Sequence, residues 1–175
     1  MVETERLRLR PATIDDLDAW LAISRDAEEA WFGAPSSDRE QARANLQKHM
    51  AHQATHGFGL WVVELRKTGD VIGAAGLTHL KDGAEIEVGY RFLKEHWGQG
   101  YATEAVRALI DVAFGTHGMR RVIAQLDSRN TASAKLCERL GMTREAYLRQ
   151  DCWAKGEWTD TIIYGLLATE WQRPR

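Results

Sequence analysis

Three features of the 175-residue sequence predict an α/β fold built on a mixed, mostly antiparallel sheet. Strand-patterned runs cluster in the middle as hairpins, helical runs precede and follow them, and one Gly-rich turn joins a strand directly to a helix. The pattern order is β-α-α-β-β-β-α-β-α-β-β, about seven strands and about four helices, with no internal repeat or linker. Residues 1–175 are therefore expected to form one domain.

The opening ERLRLR alternates Leu7 and Leu9 with Arg6, Arg8 and Arg10, the period of a half-buried strand whose arginines are expected on the wet face. Thr13 with Asp16, and Ser37 with Glu40, have capping-box spacing ahead of helical patterns near 14–25 and 38–55. FGLWVVEL (58–65), VIGAAGLTHL (71–80) and AEIEVGYRF (84–92) read as an antiparallel meander, joined through RKTGD and the Asp82-Gly83 pair. Ala102, Val106, Leu109, Ile110, Ala113 and Phe114 then keep the spacing of one helix face to about Gly115. RRVIAQLD (120–127) is a further strand. Residues 131–140 form a short helix with Leu136 and Leu140 inward and Gly141 as its stop. Two strands near 145–152 and 159–168 follow.

Composition narrows the partners. Lys and Arg number 23 against 25 Asp and Glu, a net charge of -2, so no global field drives binding to nucleic acid or to an anionic membrane. No run approaches the ~20 apolar residues of a membrane span, and the N-terminus has no signal-peptide core, so a cytoplasmic location is expected. Cys137 and Cys152 form neither a CxxC nor a dense framework, which fits a reducing compartment without a disulfide. His49, His52 and His56 share one side of a helix. With no carboxylate or cysteine in register, they read as a solvated face rather than a metal site.

The stretch EHWGQGYATEA (95–105) carries the chemistry. Its glycines let the backbone adopt φ > 0 and turn N–H groups outward, an arrangement suited to an anion at the start of a helix. A Rossmann-type dinucleotide site is the rival reading, with Asp127 ending the next strand. It lacks the third glycine, having Thr103 there, and the hairpins are not βαβ units.

With ETERLRLRPAT at the start, IEVGY, WGQGYATEA and NTASAKLCERLGM, nearly the whole chain resembles the GCN5-related N-acetyltransferase (GNAT) superfamily. More closely, it is similar to the RimJ/RimL-type branch of protein N-terminal acetyltransferases. The resemblance implies acetyl-CoA as co-substrate, no metal, and an amine acceptor, either a protein N-terminus or a small molecule. A homodimer is left open. It implies that the strand ending at Phe92 splays from the one beginning near Arg120, with the pantetheine arm bonded to backbone at Phe92 and Leu93. The pyrophosphate loop falls on Trp97, Gly98, Gln99, Gly100, Tyr101, Ala102 and Thr103, with Trp97 departing from the superfamily's usual Gln or Arg. Asn130 and Ser133 match the branch's Asn-x-x-Ser bordering the thioester, with helix capping as the plain alternative.

Acetyl transfer to an amine needs a base, an oxyanion donor and help for the departing thiolate. By the resemblance, Glu87 matches the acidic base, with Glu85 two residues away and solvent exposure the alternative for both. Many relatives place a tyrosine acid where this chain has Cys137; the branch suggests Ser133 instead, with Tyr147 a remoter candidate. Cys137 reads as a packed apolar residue, since the superfamily transfers the acyl group directly. A backbone N–H near Phe92 would meet the oxyanion. By the resemblance, Trp31 and Phe32 fall where the fold usually forms one wall of the acceptor cleft, with core aromatics the equal alternative. A coenzyme A-binding module without catalysis is the alternative outside the enzyme class.

Overall fold

The computed structural model describes residues 1–25, 38–80, 86–154 and 156–171. Its strands are β1 (Val2–Glu3), β2 (Leu7–Pro11), β3 (Leu60–Leu65), β4 (Val71–His79), β5 (Ile86–Phe92), β6 (Arg121–Asp127), β7 (Thr143–Ala154) and β8 (Glu157–Leu167). Its α-helices are α1 (Leu17–Arg25), α2 (Arg39–His56), α3 (Tyr101–Gly115) and α4 (Thr131–Arg139). The eight strands form one sheet in the order β1-β2-β3-β4-β5-β6-β8-β7. Every neighbouring pair is antiparallel except β5 and β6. A Rossmann sheet, which is parallel throughout, is thereby excluded.

Alternation along the strands divides the core into two layers. Leu7, Leu9, Val63, Ala75, Ile86, Val88 and Phe92 pack with Val106, Leu109 and Ile110 of α3 and Leu136 and Cys137 of α4. Val62 and Ala74 face the other way, onto Leu17, Trp20, Leu21 and Ile23 of α1 and Ala42 and Leu46 of α2. Each fully buried Leu or Ile contributes roughly 1.5–3 kcal/mol relative to an exposed one, so two such layers clamp the sheet flat between helix pairs.

The ends of the helices follow their side chains. Asp16 Oδ2 accepts from the Thr13 N–H at 2.7 Å and from its hydroxyl at 3.2 Å, and a 3-10 turn over Ile14–Asp16 leads into α1. The second cap is Asp38, one residue beyond the expected Ser37, accepting from the Glu40 N–H at 3.0 Å. At the end of α4, Gly141 (φ 78) donates to Glu138 O and Met142 to Cys137 O, the paired bonds of a Schellman stop. Ser37, the Asp82-Gly83 hairpin, Glu85, Trp31 and Phe32 lie outside the described residues.

Two expectations are corrected. The arginines of β2 are not simply a wet face: Arg10 is half-withdrawn and holds Asp16 through both terminal nitrogens at 2.8 Å and Glu64 through Nε at 2.7 Å. Nor are the histidines of α2 all solvated. His49 packs on Trp20, and His52 and His56 gather with His79 around Phe58, His52 Nδ1 lying 3.1 Å from Phe58 O.

Candidate active site

β5 and β6 set the geometry. They pair only at Ile86 with Val122 and Glu87 with Ile123, then part, although β5 continues to Phe92 and β6 to Asp127. From Val88 onward β5 has a strand partner on the β4 side alone. Backbone groups facing the gap have no ladder to join, so a ligand with amide groups can complete it.

At the open end of the gap the chain turns through Lys94–His96 into the glycine loop and α3. Gly98 (φ 73) and Gly100 (φ 81) both occupy the left-handed region, and Gly100 caps α3 without any side-chain bond. The first intrahelical bond is Glu104 N–H to Gly100 O at 3.1 Å, so the N–H groups of Tyr101, Ala102 and Thr103 point out of the helix end. They and the macrodipole make a positive, anion-receptive surface.

That loop is braced from the N-terminal strand. Arg6 donates through Nη1 to Gln99 O at 2.9 Å and through Nε to Glu104 Oε2 at 2.7 Å, while its guanidinium lies 4.6 Å over the Tyr101 ring. Glu104 also accepts from the Thr4 hydroxyl and the Arg6 backbone N–H. Burial alone would raise the Glu104 carboxyl, but these bonds outweigh it and hold it below the usual range. Trp97 donates from its indole to Phe92 O at 2.8 Å and so ties the loop to the end of β5. The Phe92 side chain is core, and Leu93 joins the α1 and α2 layer.

The two sequence-derived catalytic candidates approach the gap from opposite faces. Glu87 alternates away from Ile86, Val88 and Tyr90; burial pushes its carboxyl up, against bonds from the Gln125 backbone and side chain. Beside it, a Cβ at Gly89 would meet no atom of the described residues within 4 Å. On the other face stands α4, capped by Asn130 Oδ1, which accepts from the Ser133 N–H at 3.0 Å. The capping reading of Asn130 is thus realised, and the Ser133 side chain turns toward Tyr90 of β5.

Tyr90 is the residue that sequence reasoning missed. Its hydroxyl is buried and has no hydrogen-bond partner of proper geometry among the described residues, although Ser133 lies close enough to favour the ionised form. The available signal was a phenol on the inward side of IEVGYRF, where alternation otherwise places only Ile, Val and Phe. Cys137, 1% exposed, has its thiol pushed up to about 12 by burial, which suits an inert packed side chain. Tyr147 sits apart from the gap, on the edge strand β7 beyond β6 and β8, with its hydroxyl on Asp160.

Residues 6–143 match the family model described as an acetyltransferase (GNAT) domain. The chain is 32% identical over 171 residues to the uncharacterized N-acetyltransferase p20 of Bacillus licheniformis, covering 96% of each. It is 26% identical to the ribosomal protein uS5 alanine N-acetyltransferase of Escherichia coli, covering 96% of this chain and 91% of that one. In fold it resembles RimL, a ribosomal α-N-protein acetyltransferase solved in complex with coenzyme A, with a TM-score of 0.83 at 19% identity, covering 94% and 95% of the two chains. This chain belongs to the GNAT acetyltransferases and is an acyltransferase.

Proposed function

We propose that the protein transfers acetyl from acetyl-CoA to an α-amino group, that of a protein N-terminus, with ribosomal proteins the first class to test. The observation that carries the reading is the parted β5–β6 pair leading into the braced loop of Gly98 to Thr103. The arrangement fits coenzyme A: outward N–H groups at α3 for the pyrophosphate, and the Phe92 backbone for a pantetheine amide, whereas the Leu93 N–H and O, expected to share that role, are already bonded to Ile72 O and the His96 N–H. The likeness to a fold solved with coenzyme A supports it.

Bound acetyl-CoA supplies an activated acetyl thioester. The chain's own residues do the rest. Gly89 leaves room on the Glu87 face for an amine to approach, and Glu87, its carboxylate made more basic by burial, takes the amine's proton directly or through water. The new C–N bond forms as the C–S bond breaks, the sulfur keeping the electron pair. Asn130 holds the first turn of α4, from which the Ser133 hydroxyl would assist the leaving sulfur. A thiol of ordinary pKa ~8.5 needs little protonation to depart.

The α-amine preference rests on the uS5-alanine relative and on chemistry. With reference values of ~7.7–8.0 for an α-amine and ~10.4 for lysine, roughly one α-amine in ten is neutral at pH 7, against fewer than one lysine in a thousand. A single half-buried carboxylate suits the former. The test compares kcat/KM for a lysine-free peptide with a free N-terminus against its N-blocked, lysine-bearing counterpart, and faster acetylation of the blocked peptide would overturn the assignment. Release of coenzyme A thiol with neither peptide but with an aminoglycoside or a free amino acid would move the acceptor to small molecules.

A further inference from the structure

Tyr90 presents a puzzle of energetics. A buried hydroxyl without a partner is destabilising, and phenylalanine would fill the same space without that loss. The hydroxyl stands midway along the stretch of β5 that has parted from β6, on the face shared with α3 and α4. Ser133 and Cys137, both on α4, are its neighbours. A polar hydrogen held dry between β5 and α4, where β5 has lost its β6 partner, is placed to meet a ligand atom lying along that gap.

We propose that the Tyr90 hydroxyl is a hydrogen-bond donor to the thioester sulfur, stabilising the negative charge that gathers there as the C–S bond breaks, with Ser133 as its companion. The inference rests on the acetyl-transfer reading above. Tyr90 does not replace the tyrosine acid that Cys137 displaces from α4, because it keeps its proton: burial raises the phenol well above its ordinary value, far above that of a thiol. The electron pair of the broken bond stays on sulfur, the amine's proton goes to Glu87 or water, and the thiolate later takes a proton from solvent. Tyr90 thus acts as a fixed dipole at the point where charge develops.

Tyr90→Phe removes only the oxygen. With acetyl-CoA and the free-N-terminus peptide, kcat is expected to fall ~10²-fold while KM for acetyl-CoA changes less than about threefold. The melting temperature should stay equal or rise, since an unsatisfied group is lost. The ratio of wild-type to variant kcat should be flat from pH 6 to pH 10, whereas a phenol of ordinary pKa, ionised at the alkaline end and unable to donate there, would make it fall. An unchanged kcat, a lowered melting temperature or a falling ratio would each overturn the proposal. These outcomes are distinct from failure of the underlying reading, in which the wild-type protein itself either fails to bind acetyl-CoA by calorimetry or binds it without releasing thiol to any amine, and Tyr90 then has no sulfur to serve.

Discussion

Glu104 and Glu87 are both glutamates drawn out of water, one under the glycine loop and one at the strand gap, and their carboxyls move in opposite directions. At Glu104 the protein supplies the counter-groups itself: the Thr4 hydroxyl, the Arg6 N–H and the Arg6 guanidinium. At Glu87 only Gln125 answers, and burial wins. The loop is completed by the fold, so it is rigid before any ligand arrives. The gap is left short of partners, with Glu87 raised and the Tyr90 hydroxyl unbonded, so its groups respond to whatever enters. Binding is pre-organised at one end and chemistry is held in reserve at the other.

The comparison breaks if changes at the two ends behave alike. The largest effect is expected at Glu87→Gln, which should lower kcat by ~10²–10⁴ without lowering stability. A carboxyl whose folded pKa is raised weakens the fold increasingly as pH climbs from its unfolded value through the folded one, so the amide variant should match or exceed the wild type in melting temperature at pH 8. In the wild type the rate should fall as pH drops through the raised pKa, and that acid limb should vanish in the variant.

Next is Gly100→Val. Its φ of 81 is strained for a β-branched residue, and a Cβ would stand 3.4 Å from Arg6 Nη2. Strain of ~1–3 kcal/mol corresponds to roughly 10–100-fold weaker acetyl-CoA binding by calorimetry. Gly89→Leu should then raise KM for the peptide about tenfold and leave acetyl-CoA affinity unchanged, because it fills only the Glu87 face. The smallest change is expected at Glu104→Gln, which keeps an acceptor for Thr4 but loses the charge. Urea unfolding should show ~1 kcal/mol less stability at pH 7, and acetyl-CoA affinity should fall a few-fold with it. Because the Glu104 pKa is depressed, that difference should shrink as pH falls through the folded pKa, where the wild-type carboxylate is itself protonated.

What the sequence disclosed follows from range. Period-two and helical patterns are local, and the strands, the helices and the order of elements could be read from them to within a few residues. β1 could not, because Val2–Glu3 is too short to alternate; it exists by pairing with Leu9 and Arg8. Asp38 displaced Ser37 as a cap because both are competent and the choice rests on backbone geometry. The loop itself was legible from its glycines. Its brace was not, since Arg6 and Glu104 are separated by 98 positions and an arginine in an alternating strand reads as a wet residue. Tyr90 was hidden for the opposite reason: its ring satisfies the apolar pattern and conceals the hydroxyl.

The parted strands also grade what can enter by width. A chain inserted as a full member of a sheet needs two strand spacings between its neighbours, about 9.5 Å, whereas beside the Glu87–Ile123 pair only one spacing, about 4.8 Å, is present. The recess therefore narrows from the unpaired ends of β5 and β6 toward the Glu87–Ile123 pair. A polypeptide edge, with side chains every 3.4 Å, can reach the mouth and no further. This inner edge is for that reason protected from the strand addition that threatens an open sheet margin, without the lysines or prolines that margins ordinarily carry. A slender ligand must go in narrow end first, and the taper sets an upper limit on the group it carries at its tip.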